Sequence, residues 1–274
     1  MRADPMLRVG HRGTSQGATE NTLYAFTKAL RSGADGIELD IRRTRDGTLV
    51  ISHDPTVDRL TEGSGFIKDL DLDRLRSFRT RGNELIPTAE EALGKIADYG
   101  KPAFVQIDLK VPGVAGELIG LVREKGLGDV AVISAFHRHL LEEVREHDSG
   151  IGIGLIKKLP FNGPIRAYTA PEDGEARWKV KMKEGLHFAY MLALLPVNRF
   201  MRPRSFDLIE DAKKLGANYV MCWWGAASRH LVREAHRKGM GVVVGIVNRG
   251  RSIKRLERIG VDVMVTDRAD LLRH

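Results

Sequence analysis

Short apolar runs alternate with amphipathic stretches along most of this chain. Runs at 7–10, 36–41, 49–52, 103–109, 130–135, 151–156, 219–223, 242–247 and 263–266 have strand length. Segments such as Thr22–Ser32, Ala89–Tyr99, Ala115–Lys125 and His139–Glu146 carry helical periodicity between them. Repeated strand and helix alternation predicts a parallel sheet, and the count suits an α/β fold of the (β/α)8 TIM-barrel type. The strand candidates exceed eight by one. The turn RTRDGT between the runs at 36–41 and 49–52 is too short for a crossover helix, so one flanking strand is expected to be irregular. Gly150, Gly152 and Gly154 alternate and share a strand face, which points to close packing inside the barrel rather than to a dinucleotide loop.

Polar residues interrupt these runs in a pattern that folding alone does not require. His11, Glu38, Asp40 and His53 lie in the strings VGHRG, GIELDIR and ISHDP, each at the end of an apolar segment. Glu38 and Asp40 are two apart, so in a strand both point to one face while Ile37, Leu39 and Ile41 take the other. Two like charges buried together are costly unless a positive charge sits between them, and a hard divalent cation with oxygen ligands meets that need. The run AFVQIDLK repeats the pattern, with Asp108 and Lys110 on one face and Val105, Ile107 and Leu109 opposite. Lys110 either pairs with Asp108 or meets a phosphate oxygen beside the metal.

HRG, then ENTLYAF, then GADGIELDIRRTRDGTLVISHD resembles the opening of the glycerophosphodiester phosphodiesterases, a family related to the phosphatidylinositol-type phospholipases C. The likeness continues through IPTAEEAL, the strand with Asp108 and Lys110, VISAF and GVDVMVTD. It implies that His11 and His53 are the acid/base pair and that Glu38, Asp40 and Asp108 bind the metal. Arg12 and Lys110 match phosphate-contacting positions, and residues 54–87 match a small inserted cap over the site. Three positions depart from the family pattern. Position 108 is usually Glu, Thr19 stands for the usual Pro before ENT, and Gly245-Ile246-Val247-Asn248 lacks the Trp of the usual WTVN. The last change removes an aromatic wall, for which Trp223 and Trp224 at the end of the preceding strand are candidate substitutes.

Composition fits one globular domain over 1–274, since 274 residues with 42% hydrophobic content supply a single large core. MRADPMLRVGH has no apolar stretch of signal-peptide length, so a cytoplasmic location is expected. A single cysteine, Cys222, rules out an intrachain disulfide. The formal charge is +8, and most of it is local: residues 157–204 hold ten Lys or Arg against four acids. This basic and apolar insertion, 157–205 in a later β–α loop, contains LHFAYMLALL. A bilayer span needs about 20 apolar residues, so the run is too short to cross. Its aromatic and cationic flanks suit an interfacial anchor on an anionic membrane, with Trp178, Phe188, Tyr190, Leu194 and Phe200 as contacts. A core or oligomer-interface helix is the other reading. The clustering of charge around an apolar segment argues against nucleic acid as a partner.

Together these features predict metal-assisted hydrolysis of a glycerophosphodiester to glycerol phosphate and an alcohol. All-oxygen ligands favour one Mg2+ or Ca2+. His11 is assigned as base and His53 as acid, with the reverse left open, and the nucleophile is either water or the substrate's own glycerol 2-hydroxyl. Two alternatives stand beside this: a peripheral lysophospholipase D acting on lysolipids, and a catalytically weak lipid-surface binding protein. Oligomeric state is not legible.

Overall fold

A computed structural model describes residues 5–100, 102–157 and 205–273. Nine strands are present among them: β1 (Leu7–His11), β2 (Gly36–Arg43), β3 (Leu49–Ile51), β4 (Phe104–Leu109), β5 (Ala131–Ala135), β6 (Gly152–Ile156), β7 (Tyr219–Trp223), β8 (Gly241–Gly245) and β9 (Val263–Thr266). Eight of them pair in parallel in the order β1-β9-β8-β7-β6-β5-β4-β2, and β1 pairs with β2 to close the barrel. The described helices are α1 (Leu23–Arg31), α2 (Leu72–Arg76), α3 (Ala89–Asp98), α4 (Ala115–Glu124), α5 (Arg138–His147), α6 (Ser205–Lys214), α7 (Arg229–Arg237) and α8 (Gly250–Ile259).

The supernumerary strand is β3, one of the two that flank the short turn, and it departs from the barrel by pairing antiparallel with β2. β2 continues past the barrel to Arg43, turns, and returns as β3 in an antiparallel pair with Ile41 opposite Ile51 and Arg43 opposite Leu49. A hairpin needs no crossover helix, which is why the short turn sufficed. Two consequences correct the sequence reading. Glu38 and Asp40 sit in the middle of β2 rather than at its end. His53 enters the site from the returning arm of a hairpin, not from a barrel strand.

Alternation along the strands builds two cores. Val9, Phe104, Val132, Met221, Val243, Val263 and Val265 form one buried cluster, which fills the barrel lumen. Gly154 faces it, since a Cβ there would lie 2.2 Å from Met221 Cε. The opposite faces of the same strands, including Ile37, Leu39 and Ile41, pack under the helices with Phe26, Leu93, Leu118 and Leu141. Each fully buried side chain of this size contributes about 1.5–3 kcal/mol, which offsets the cost of the charged lumen face of β2. Thr22 caps α1 through the N–H of Ala25, and Thr88 with Glu91 forms a reciprocal capping box on α3.

The stretch 54–87 carries its own small cluster, in which Val57, Ile67, Leu75, Phe78 and Ile86 pack around Val50 of β3. Its regular elements are a 3-10 turn over Ile67–Asp69 and α2. No helix among the described residues is long and apolar enough to cross a membrane. Nearly all of the 157–205 insertion, with Trp178, Phe188, Tyr190, Leu194 and Phe200, lies outside the described residues.

Candidate active site

Register brings the predicted carboxylates together. Asp108 on β4 lies directly beside Asp40 on β2, and Glu38 lies beside His11 on β1. Glu38, Asp40 and Asp108 are all buried, and each offers an oxygen within 4.8 Å of the others. Two cations reach in from the strand ends. The N–H of Arg12, a residue in the left-handed region at φ 51°, donates to Glu38 Oε2 at 2.9 Å. Its guanidinium Nε lies 3.2 Å from Asp40 Oδ2, and its Nη1 lies 2.7 Å from Glu20 Oε1. Lys110 Nζ lies 2.9 Å from Asp40 Oδ1 and also pairs with Asp108. Asn21 donates to Asp40 Oδ2 at 2.8 Å.

These contacts divide the three acids electrically. Burial works to neutralise Asp40, but Lys110, Arg12 and the Asn21 amide outweigh it and hold this carboxyl well below the usual range. Glu38 lacks that support: burial and the neighbouring Asp40 charge push it up to about 7. Asp108 is also raised, by burial and Asp40 together, against the pull of Lys110. Asp108 Oδ1, Asn21 Oδ1 and Gln106 Oε1 are buried acceptors without a hydrogen-bond partner. Three carboxylates with an orphaned oxygen among them form an all-oxygen donor set that fits a hard divalent cation.

Both histidines are oriented by carboxylates through Nδ1. His11 Nδ1 is 2.6 Å from Asp267 Oδ1, and its Nε2 is 3.8 Å from Glu38 Oε2. His53 Nδ1 is 2.8 Å from Asp54 Oδ1. With Nδ1–H donated to an acid, the Nε2 of each ring is the atom left to exchange a proton. Asp267 follows β9, and Asn248, in the loop after β8, donates to its other oxygen at 2.6 Å. Asp54 also accepts from Arg59 Nε, and Arg59 Nη2 lies 2.5 Å from Glu20 Oε1. Burial opposes charge on Asp54 and Asp267, yet their histidine bonds and the donors behind them prevail. Asp54 is lowered to about 2, and Asp267 is lowered as well.

All seven polar residues singled out from sequence therefore converge at one end of the barrel. Asp267, Asn248, Asp54, Arg59, Glu20 and Asn21 were not singled out. Glu20 and Asn21 lie in ENTLYAF, Asp54 lies in ISHDP, Asn248 closes the segment 245–248 and Asp267 closes GVDVMVTD, yet none of these strings showed what its polar residue would meet.

The rim on the opposite side is aromatic. Trp223 follows Tyr219 and Met221 on the lumen face of β7, and it is the register partner of Gly245 on β8. Its ring lies across Gly225, where a Cβ would fall 1.8 Å from Trp223 Cζ3. Trp224 packs partly against the outer core, with its ring centroid 5.0 Å from that of Trp223. Phe136, after β5, is 43% exposed, and its ring centroid is 5.7 Å from Lys110 Nζ.

A model of the glycerophosphoryl diester phosphodiesterase family matches residues 11–271. The chain belongs to this family. By that membership it is a phosphoric diester hydrolase. A glycerophosphodiester phosphodiesterase of Caldanaerobacter subterraneus is 29% identical over 97% of this chain and 96% of its own length. Human glycerophosphodiester phosphodiesterase 1 is 38% identical over 69% of this chain and 57% of its own. Among solved structures, an Oleispira antarctica phosphodiesterase in complex with the product sn-glycerol-3-phosphate superposes with a TM-score of 0.73 at 20% identity, covering 97% of this chain and 94% of that one. At that identity the likeness establishes the barrel.

Proposed function

We propose that this site hydrolyses glycerophosphodiesters to glycerol phosphate and an alcohol by proton transfer at His11 and His53. The observation that carries this reading is the pair of imidazoles, each backed by its own carboxylate, beside one buried cluster of three acids. Glu38, Asp40 and Asp108 would hold one Mg2+ or Ca2+, which when bound draws charge from the phosphate oxygens. Arg12 and Lys110 lie close enough to share the same phosphate, with Glu20, Asp40 and Asp108 as their resident counter-ions.

The two carboxylates behind the imidazoles differ in what else they bind. Asp54 is in direct contact with the Arg59 cation, whereas among the described residues Asp267 bonds the neutral Asn248 amide besides His11 and feels Arg12 only through space. The less neutralised anion better supports a ring that is gaining positive charge. His11 is accordingly assigned to take the nucleophile's proton at Nε2, and His53 to return a proton to the leaving alkoxide. The residues 54–87, which supply Asp54 and Arg59, act as the cap of the site. Phe136 beside Lys110 and Trp223 on the far rim offer aromatic surface to whatever the phosphate carries.

Phosphorus NMR of the full chain with glycerophosphoethanolamine and lysophosphatidylcholine, in Mg2+, Ca2+ or EDTA, tests this. Cation-dependent release of glycerol phosphate from the water-soluble diester is expected. Replacing either His11 or His53 by Ala should reduce turnover by about 100-fold or more. Turnover of the acylated substrate alone would move the assignment to a lysophospholipase D, and turnover of neither would remove it.

A further inference from the structure

Arg59 reaches the site from the inserted stretch and pairs with two acids outside the Glu38, Asp40 and Asp108 cluster. Arg59 leaves the inserted stretch at a turn fixed by Thr61, whose N–H and hydroxyl both bond the Val57 carbonyl, at 3.0 and 2.9 Å. Val57 is 1% exposed in the small cluster with Ile67 and Leu75. The same stretch is tied down by Ile67 N–H to the Pro55 carbonyl at 2.9 Å and by Val57 N–H to the Gly65 carbonyl at 3.1 Å. From that support the guanidinium spans two acids, donating to Asp54 Oδ2 through Nε and reaching Glu20 Oε1 through Nη2 at 2.5 Å. Asp54 meets His53 with its other oxygen. Glu20 meets Arg12 with the same oxygen it presents to Arg59.

We propose that Arg59 is a positioning residue of the hydrolase, which fixes the His53 ring through Asp54 and locks it to Arg12 through Glu20. The proposal rests on His53 taking part in the proposed hydrolysis. A carboxylate bonded on one side only can rotate about its Cβ–Cγ bond. Held on both oxygens it presents one fixed acceptor to His53 Nδ1, and the ring then has one orientation for Nε2. The His53 carbonyl is anchored separately by Arg42, through Nε at 3.1 Å and Nη2 at 2.9 Å, so the backbone stays in place when Arg59 is changed. Arg59 also sets one positive charge between Asp54 and Glu20, which an uncharged side chain does not. The inserted stretch thereby contributes to catalysis through its fold as well as by covering the site.

Four versions of the full chain separate this from a merely structural role: Arg59→Met, Arg59→Lys, His53→Ala and the double variant His53→Ala with Arg59→Met, assayed with glycerophosphoethanolamine and Mg2+. Arg59→Met should lower kcat by about 10- to 100-fold, as misplacing a catalytic group does, while KM stays within about threefold. In the His53→Ala background the same change should cost less than about twofold, because the ring it acts on is gone. Arg59→Lys should recover part of the rate. Equal losses in both backgrounds, or a rise in KM at unchanged kcat, would overturn the proposal. Nitrogen-15 spectra of the histidine rings give a readout without turnover. The His53 signals should move in Arg59→Met and return toward wild type in Arg59→Lys, with the His11 signals unmoved. Wild-type protein that turns over no diester while His53 responds in this way would refute the proposed activity and leave the positioning role intact. A His53 spectrum indifferent to Arg59 would refute the positioning role whatever the activity.

Discussion

Glu38 is the carboxylate whose charge the protein supports least, and this makes cation binding a proton-linked reaction. Its carboxyl is pushed up to about 7 by burial and by Asp40, while Lys110 and Arg12 hold Asp40 well below the usual carboxylate range. A cation must displace the proton from Glu38 whenever that proton is present. The ionised fraction is about 0.9 at pH 8 and about 0.1 at pH 6 for a group titrating there, so affinity should weaken about tenfold between them, or about 1.4 kcal/mol. Calorimetric titration with Mg2+ or Ca2+, run in two buffers of different ionisation enthalpy, measures both quantities. About one proton should be released per cation at pH 6 and almost none at pH 8. The linkage to stability has the opposite direction to the common carboxylate case. A folded value above the unfolded one means that the contribution of Glu38 to the stability of the cation-free protein, at most about 3 kcal/mol, is fully present below about pH 4.5 and is lost as pH rises through 7. Added cation should therefore raise Tm more at pH 8 than at pH 6. His11→Asn should preserve the proton release, since the proton is assigned to the carboxyl. Affinity that is level from pH 6 to pH 8, or proton release that vanishes in His11→Asn, would refute the account.

Two further outcomes follow from the rim and from the basic insertion. Trp223→Ala should raise KM by about 2- to 10-fold with kcat within about twofold, the range expected for losing one aromatic face; steady-state kinetics on soluble and acylated diesters measures it, and a fall in kcat at constant KM would show that Trp223 supports the catalytic residues instead. Deleting 178–204 should reduce co-sedimentation with anionic vesicles by at least about tenfold at low salt, because several Lys and Arg contribute about 1 kcal/mol each near such a surface; equal binding by both proteins would end the anchor reading.

The fold was legible because each barrel strand repeats one physical rule. A run such as GIELDI must hide one face under a helix, and Ile37, Leu39 and Ile41 do so at 0% exposure. What that rule does not carry is direction. Residues 49–51 have the composition of a barrel strand, and only the length of the connection before them distinguishes a hairpin from a crossover. The expectation of an irregular strand came from applying the barrel's connectivity to a segment that had left the barrel.

The same distinction governs the site. His11, Glu38, Asp40 and Asp108 could be paired on paper because period-2 alternation and parallel register set their relative heights. Asp267 could not, since it orients His11 across 256 positions and depends on β9 closing against β1. Its string, GVDVMVTD, belongs to the family likeness, but an acid after an apolar strand does not itself name the partner it will meet. Motif reading therefore recovers residues that face the reacting atoms and loses those that aim them, because the former need a residue type at a strand position and the latter need only a donor or acceptor wherever the chain returns. Arg59 and Asp267 are both of the second kind. They approach the two imidazoles from different parts of the chain, one directly and one through Asp54, and the difference in charge they bring is the basis on which His11 is proposed as the base and His53 as the acid.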